Sequence, residues 1–151
     1  MQGSATVTIA APAEAVWSLV TDVTRMGEWS PDTVKAVWLD GATGPAVGAR
    51  FKGTNKAGWL RWSTKVRVDE CEPGRSFVFT TTAGKRDSTR WSYRIEPNAD
   101  GGCTVTESYE ALWELAAIKL IFPPKRRVPQ LQAGMEQTLA RLKAAAEQPS
   151  G

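Results

Sequence analysis

Polar and apolar residues alternate with a period of two along much of this chain. The clearest runs are Leu60-Arg61-Trp62-Ser63-Thr64-Lys65-Val66-Arg67-Val68 and Arg90-Trp91-Ser92-Tyr93-Arg94-Ile95. Successive side chains of a strand point to opposite faces, so such runs predict strands with one wet face and one face of aromatic and aliphatic bulk. This pattern predicts strands over 4–10, 33–39, 49–55, 59–69, 76–81, 89–96 and 103–109. The fourth is long enough to require a bend or a strong twist. Turn chemistry separates them, as in Asp40-Gly41-Ala42-Thr43-Gly44-Pro45, Lys56-Ala57-Gly58, Glu72-Pro73-Gly74 and Ala83-Gly84-Lys85-Arg86-Asp87. Parallel pairs need crossovers of about a dozen residues or more, so the short links from the second strand onward predict an antiparallel meander.

Three segments follow a different period. After the Ala11-Pro12 break, 13–20 carries an apolar face through Val16, Trp17 and Val20, and Pro12 suits a helix start, where its missing N–H costs nothing. Thr21-Asp22 offers a new cap for a short second helix over 22–26, with Gly27 as its stop. From Val128 onward, Leu131, Met135, Thr138, Leu139 and Leu142 recur at helical spacing. A start near Pro124 is the alternative, and it would leave Pro129 inside the helix. The tail from about 148 is expected to fray. Residues 1–151 thus read as one domain, with a long amphipathic helix laid across a curved antiparallel sheet.

Composition narrows the chemistry. The chain has seven tryptophans and no histidine among 151 residues, which removes the commonest proton carrier near neutral pH. Serines therefore have no base for a Ser-His-Asp arrangement, and the same holds for Cys71 and Cys103. The two cysteines lack metal-ligand spacing and are expected as free thiols; no metal or cofactor is expected. A formal charge of +3 spread along the strands gives no nucleic-acid footprint. The longest apolar window, 111–124, is interrupted by Glu114 and Lys119 and is too short to span a bilayer. With no signal-peptide pattern at the start, the cytoplasm is the expected location.

The inward positions carry an unusual mixture. Leu60, Trp62, Thr64, Val66 and Val68, then Phe77 and Phe79, then Trp91, Tyr93 and Ile95, then Val105 and Tyr109 share one parity. Arg61, Lys65, Arg67, Arg90, Arg94 and Thr106 lie on the other. Asn55, Thr64, Thr89, Glu107, Tyr93 and Tyr109 fall among the inward aromatics. Buried polar groups cost free energy unless paired, so they either form an internal network or face a cavity that holds water or ligand.

Ile9-Ala10-Ala11-Pro12-Ala13-Glu14-Ala15-Val16-Trp17, followed by Val20-Thr21-Asp22-Val23 and Glu28-Trp29-Ser30-Pro31, resembles the N-terminal signature of the START-like (SRPBCC) superfamily. Within it, the strand Thr104-Val105-Thr106-Glu107-Ser108-Tyr109-Glu110 and the closing helix around 134–143 resemble the polyketide cyclase/dehydrase and lipid-transport group, especially small actinobacterial members. The resemblance implies an α+β helix-grip fold, in which the sheet wraps round the C-terminal helix and encloses an apolar cavity gated by the two short helices. Trp17, Asp22 and Trp29-Ser30-Pro31 would hold those helices, with Trp29 near the mouth.

The expected function is binding of a small hydrophobic, partly oxygenated or lipid-like molecule. Phe51, Trp62, Phe77, Phe79, Trp91, Tyr93 and Tyr109 would line the cavity with Leu131, Met135 and Leu139 of the helix. Asn55, Thr64, Thr89 and Glu107 would orient the ligand. One alternative is a cyclase or dehydratase using Glu107 as acid or base, Tyr93 and Tyr109 as hydroxyl donors, and Arg61 or Arg90 nearer the rim. The other is a partner-binding protein with a closed core. Monomer and homodimer fit the sequence equally.

Overall fold

In the computed structural model, which describes residues 1–113, 119–120 and 123–148, seven strands form one antiparallel sheet. They are β1 (Gln2–Ile9), β2 (Thr33–Trp38), β3 (Arg50–Ala57), β4 (Leu60–Glu72), β5 (Ser76–Ala83), β6 (Arg86–Pro97) and β7 (Cys103–Ala111). Between β1 and β2 lie the helix α1 (Ala13–Thr21) and a 3-10 helix (Val23–Glu28); α2 (Pro124–Ala146) closes the chain. The order β1-β7-β6-β5-β4-β3-β2 makes β2 to β7 the expected meander and brings β1 against β7. This is the helix-grip fold, a curved sheet wrapped around the long C-terminal helix. Half of the apolar window 111–124 falls outside the described residues.

Because β1 and β2 are the two edges, the short helices between them cross from one side of the sheet to the other. Trp17 fixes α1 to the sheet, its Nε1–H donating to the Ser76 carbonyl at 2.8 Å. Both exposed edges are covered, which removes the unpaired backbone that would otherwise template aggregation. Along β1, Gln132 Nε2 donates to the Ser4 carbonyl and Lys143 Nζ to that of Thr8, each at 3.0 Å. The N–H of Ala10, just beyond the strand, donates to Glu147 Oε2 at 2.7 Å. Along β2, the 3-10 helix packs closely on the strand.

Several boundaries differ from the sequence reading for physical reasons. The second short helix is a 3-10 turn extending through Gly27 to Glu28, so Gly27 does not terminate it. A Cβ at Gly27 would lie 2.5 Å from the Val34 carbonyl oxygen, and the glycine is there for close approach to β2. Gly27→Ala is therefore expected to destabilise the fold by about 1–3 kcal/mol in urea unfolding, through backbone displacement. A cost indistinguishable from zero would show that the packing has slack. The C-terminal helix begins at Pro124 and contains Pro129. Pro124 occupies an end position where its missing N–H is harmless, and the Pro123 carbonyl accepts from Arg126 and Arg127. β4 is 13 residues long and shifts register between Val68 and Glu70, the irregularity that lets one long strand follow the curved sheet.

The core is one cluster joining Ile9, Val16, Val20, Val23, Trp29, Phe51, Val66, Val68, Phe77, Phe79, Tyr93, Ile95, Val105, Leu139 and Leu142. The convex face is wet and carries ion pairs, among them Arg67 with Asp69 and Asp87, Arg94 with Glu70, and Arg90 with Glu110. Leu60 and Trp62 depart from the parity expectation, for each is 42% exposed. They belong to a part of β4 that only β3 accompanies. Cys71 and Cys103 are free thiols, and burial raises the pKa of both.

Candidate functional site

The registers set the concave face out in rows. Ala5, Glu107, Tyr93 and Phe77 lie side by side across β1, β7, β6 and β5; next to them run Gly3, Tyr109, Trp91 and Phe79. A third row joins Thr89, Thr81, Val66, Phe51 and Trp38. Rings meet along and between these rows: Trp38 with Phe51 at 5.7 Å, Phe51 with Phe79 at 5.6 Å, Phe77 with Phe79 at 5.4 Å and Trp91 with Tyr109 at 5.5 Å. Edge-on and tilted geometries of this kind suit the ring quadrupoles. Met135 and Leu139 of α2 are buried, whereas Leu131, one helical turn before Met135, is half-buried. The interior is thus hydrophobic and lined with aromatic rings.

One carboxyl group among the described residues is buried in it. Glu107 is 4% exposed, and its Oε1 accepts a hydrogen bond from the Tyr93 hydroxyl at 3.0 Å. Its Oε2 has no hydrogen-bond partner among the described residues. Burial pushes the Glu107 carboxyl up to about 8, the Tyr93 bond opposing only part of that rise. Burial likewise raises the Tyr93 phenol well above its ordinary value, with the neighbouring carboxyl adding to it. Tyr93 therefore remains a donor and Glu107 is mostly a neutral acid at pH 7. In a neutral carboxyl whose carbonyl oxygen is Oε1, the Oε2 hydroxyl would be a donor with no acceptor among the described residues. Which carboxyl oxygen is left without a partner was not visible in the sequence. Inward parity placed Glu107 and Tyr93 on one face, but only the β6–β7 register makes them neighbours.

Of the remaining polar candidates, the side chains of Asn55, Thr64 and Arg90 find partners elsewhere. Asn55 accepts from the Thr33 hydroxyl at 2.9 Å and donates to Thr64 Oγ1 at 3.0 Å, forming a closed chain near the β3–β4 end of the sheet. Thr33 was missed because it sits at the first position of β2, where alternation has barely begun. Thr89 is half-buried and exchanges bonds with Thr81 through its backbone: its N–H donates to Thr81 Oγ1 at 3.1 Å and its carbonyl accepts from it at 3.3 Å. Arg90 bridges Glu110 on the convex face, on the opposite side of the sheet from Glu107. Arg61 is exposed beside Trp62. Trp29 is buried with the Arg25 guanidinium 5.4 Å from its ring, and it helps line a surface concavity of about 380 Å³ shared with Leu19, Arg141 and Ala144. No group of three or more metal-ligating side chains occurs among the described residues. No helix among them is long and apolar enough to cross a membrane.

The architecture has relatives of known structure. The Polyketide_cyc-like protein Cgl2372 from Corynebacterium glutamicum, solved by solution NMR, is 32% identical over 95% of this chain and 90% of its own, with a TM-score of 0.65. Protein CV1439 from Chromobacterium violaceum shares 20% identity over 99% of both chains at a TM-score of 0.74. The di-domain ARO/CYC StfQ of the steffimycin biosynthetic pathway superposes at 0.77 with 15% identity, over 97% of this chain and 50% of its own. These last two likenesses establish the fold alone. No curated protein matches the chain in sequence. The family model for polyketide cyclase / dehydrase and lipid transport matches residues 2–147, and the chain belongs to that family.

Proposed function

We propose that the protein binds a small hydrophobic molecule bearing at least one oxygen acceptor, held between the concave sheet face and α2. The observation that carries this reading is the Glu107 Oε2 atom, buried and without a partner among the described residues beside a wall made mostly of aromatic and aliphatic side chains. An unmade hydrogen bond in such surroundings costs about 1–3 kcal/mol, and a ligand carbonyl or ether oxygen would recover it. Desolvation against Phe77, Phe79, Trp91 and Tyr109 would supply the affinity, and Glu107 the orientation.

Native mass spectrometry of protein purified from its own host tests the reading directly. A co-purifying small molecule is expected. Trp91→Leu is expected to weaken its binding about tenfold while the fold persists, since about 1.4 kcal/mol of lost contact gives that factor. Equal affinity in the variant would take Trp91 out of the site. Binding through a neutral carboxyl also predicts affinity that falls as pH rises through about 8, when Oε2 loses its proton.

A second reading follows from the same atom. ARO/CYC StfQ shares this architecture. A neutral acid at Oε2 could transfer its proton to a ketone oxygen as a carbon nucleophile of the same chain attacks the carbonyl carbon, forming the ring and leaving Glu107 as carboxylate. The nucleophile, an enol, gives up its O–H proton as its carbon attacks, and water carries that proton back to the Glu107 carboxylate. Glu107→Gln separates the readings: the amide can donate a hydrogen bond but no proton, so binding persists while turnover stops. Unchanged turnover of a verified substrate would end the enzymatic reading.

A further inference from the structure

The β3–β4 hairpin breaks two local rules at once. β4 pairs with β5 only from Lys65 onward, and β3 pairs with β2 up to Asn55, beyond which the Lys56 N–H still donates to the Asp32 carbonyl, so among the described residues 57–61 form a two-stranded tip with no third strand beside it. At its turn Trp59 is 92% exposed, with Leu60 and Trp62 each at 42%. Behind this apolar tip every charge is positive: Arg50, Lys52, Lys56, Arg61, Lys65 and Arg67 occur before the next carboxylate, Asp69. Lys56 lies directly opposite Arg61 and Lys52 opposite Lys65. Like charges in register across a ladder repel. Arg50 and Arg67 have acidic partners, but Lys52, Lys56, Arg61 and Lys65 enter no ion pair among the described residues.

Neither the exposed indole nor the facing cations stabilise the fold, and sequence choices that defeat local stability mark a site serving something outside the chain. The order of groups along the ribbon identifies the partner. An uncharged Trp-Leu tip comes first, then one facing pair of cations, then a second pair further back. That sequence matches the depth profile of an anionic membrane surface, where indoles settle at the headgroup boundary and cations at the phosphates. We infer that the β3–β4 hairpin docks the protein reversibly on anionic bilayers, with Trp59 and Leu60 entering the interface and Lys52, Lys56, Arg61 and Lys65 held against the headgroups. The inference is independent of what the interior binds.

Co-sedimentation of the full chain with phosphatidylcholine vesicles, with and without phosphatidylserine, at low and high salt, tests it. Binding is expected with phosphatidylserine and is expected to weaken as salt rises. Each cation near an anionic surface contributes about fivefold in affinity. Lys56→Ala with Arg61→Ala should therefore bind about twenty-five-fold more weakly. Trp59→Ser should reduce binding while thermal unfolding stays as in the wild type. Absence of vesicle binding would overturn the inference, as would wild-type binding by both variants. Two further results would also overturn it: tighter binding to a DNA duplex than to the vesicles at equal salt, or a wild-type dimer in sedimentation velocity that Trp59→Ser converts to monomer. Each would assign the tip to a different partner.

Discussion

Glu107→Gln is expected to abolish a fall in stability that the wild-type protein shows between about pH 5 and pH 8. In the folded chain burial holds this carboxyl at about 8 against an ordinary 4.5. Over the window between these values the unfolded chain has released the proton and the folded chain retains it. Stability therefore drops as pH rises and levels off once the folded group has ionised. Each pKa unit corresponds to about 1.4 kcal/mol, so the full effect reaches several kcal/mol, a large part of the stability of a domain this size. The absence of histidine makes the result easy to read, because no imidazole titrates in the same window. The exposed carboxylates with lowered pKa, Glu28, Glu70, Asp87 and Glu147, act in the opposite sense and further down the scale, giving stability that is lost as pH falls below the ordinary carboxylate range. Glutamine leaves a buried amide with unmet donors, so the variant is expected to be weaker than wild type at pH 5, with the gap narrowing or reversing by pH 8. Urea unfolding across this range measures it. Parallel pH profiles for the two proteins would show that Glu107 is ionised in the fold.

Phe77→Ala is expected to cost about 3–5 kcal/mol in the same assay. Phe77 is completely buried, lies 5.4 Å from Phe79 and faces Tyr93 and Cys71 across its two neighbouring strands. Walls held by hydrogen-bonded strands collapse only partly, so most of the ring's volume would remain as a void. Trp59→Ser removes an even larger side chain but is expected to change stability by less than about 0.5 kcal/mol, because the site is exposed. A Phe77→Ala cost below about 1 kcal/mol would show that the sheet and α2 close over the gap.

The strands, their order of faces and the long final helix were legible because they depend on local periodicity, and period two is unmistakable in 60–68 and 90–95. Parity also placed Arg67, Arg90 and Arg94 on the wet face, where the structure pairs them with acids. Periodicity failed where a residue's role depended on a distant segment. Gly27 looked like a helix stop because its true constraint, the Val34 carbonyl, belongs to the next strand. Leu60 and Trp62 had the alternation of interior residues, but the pattern carries no information on how many strands lie beside them.

Residues alone determined that this chain makes a seven-stranded antiparallel sheet with a long amphipathic helix laid across it, that its inner face is aromatic, and that histidine chemistry is excluded. Tertiary structure alone decided which buried polar groups are satisfied. Asn55 found Thr33 and Thr64, whereas Glu107 found Tyr93 for one oxygen and nothing among the described residues for the other. The reason is that side-chain direction is set by backbone geometry within a few residues, whereas hydrogen-bond partnership and desolvation are set by the register of strands distant in the chain.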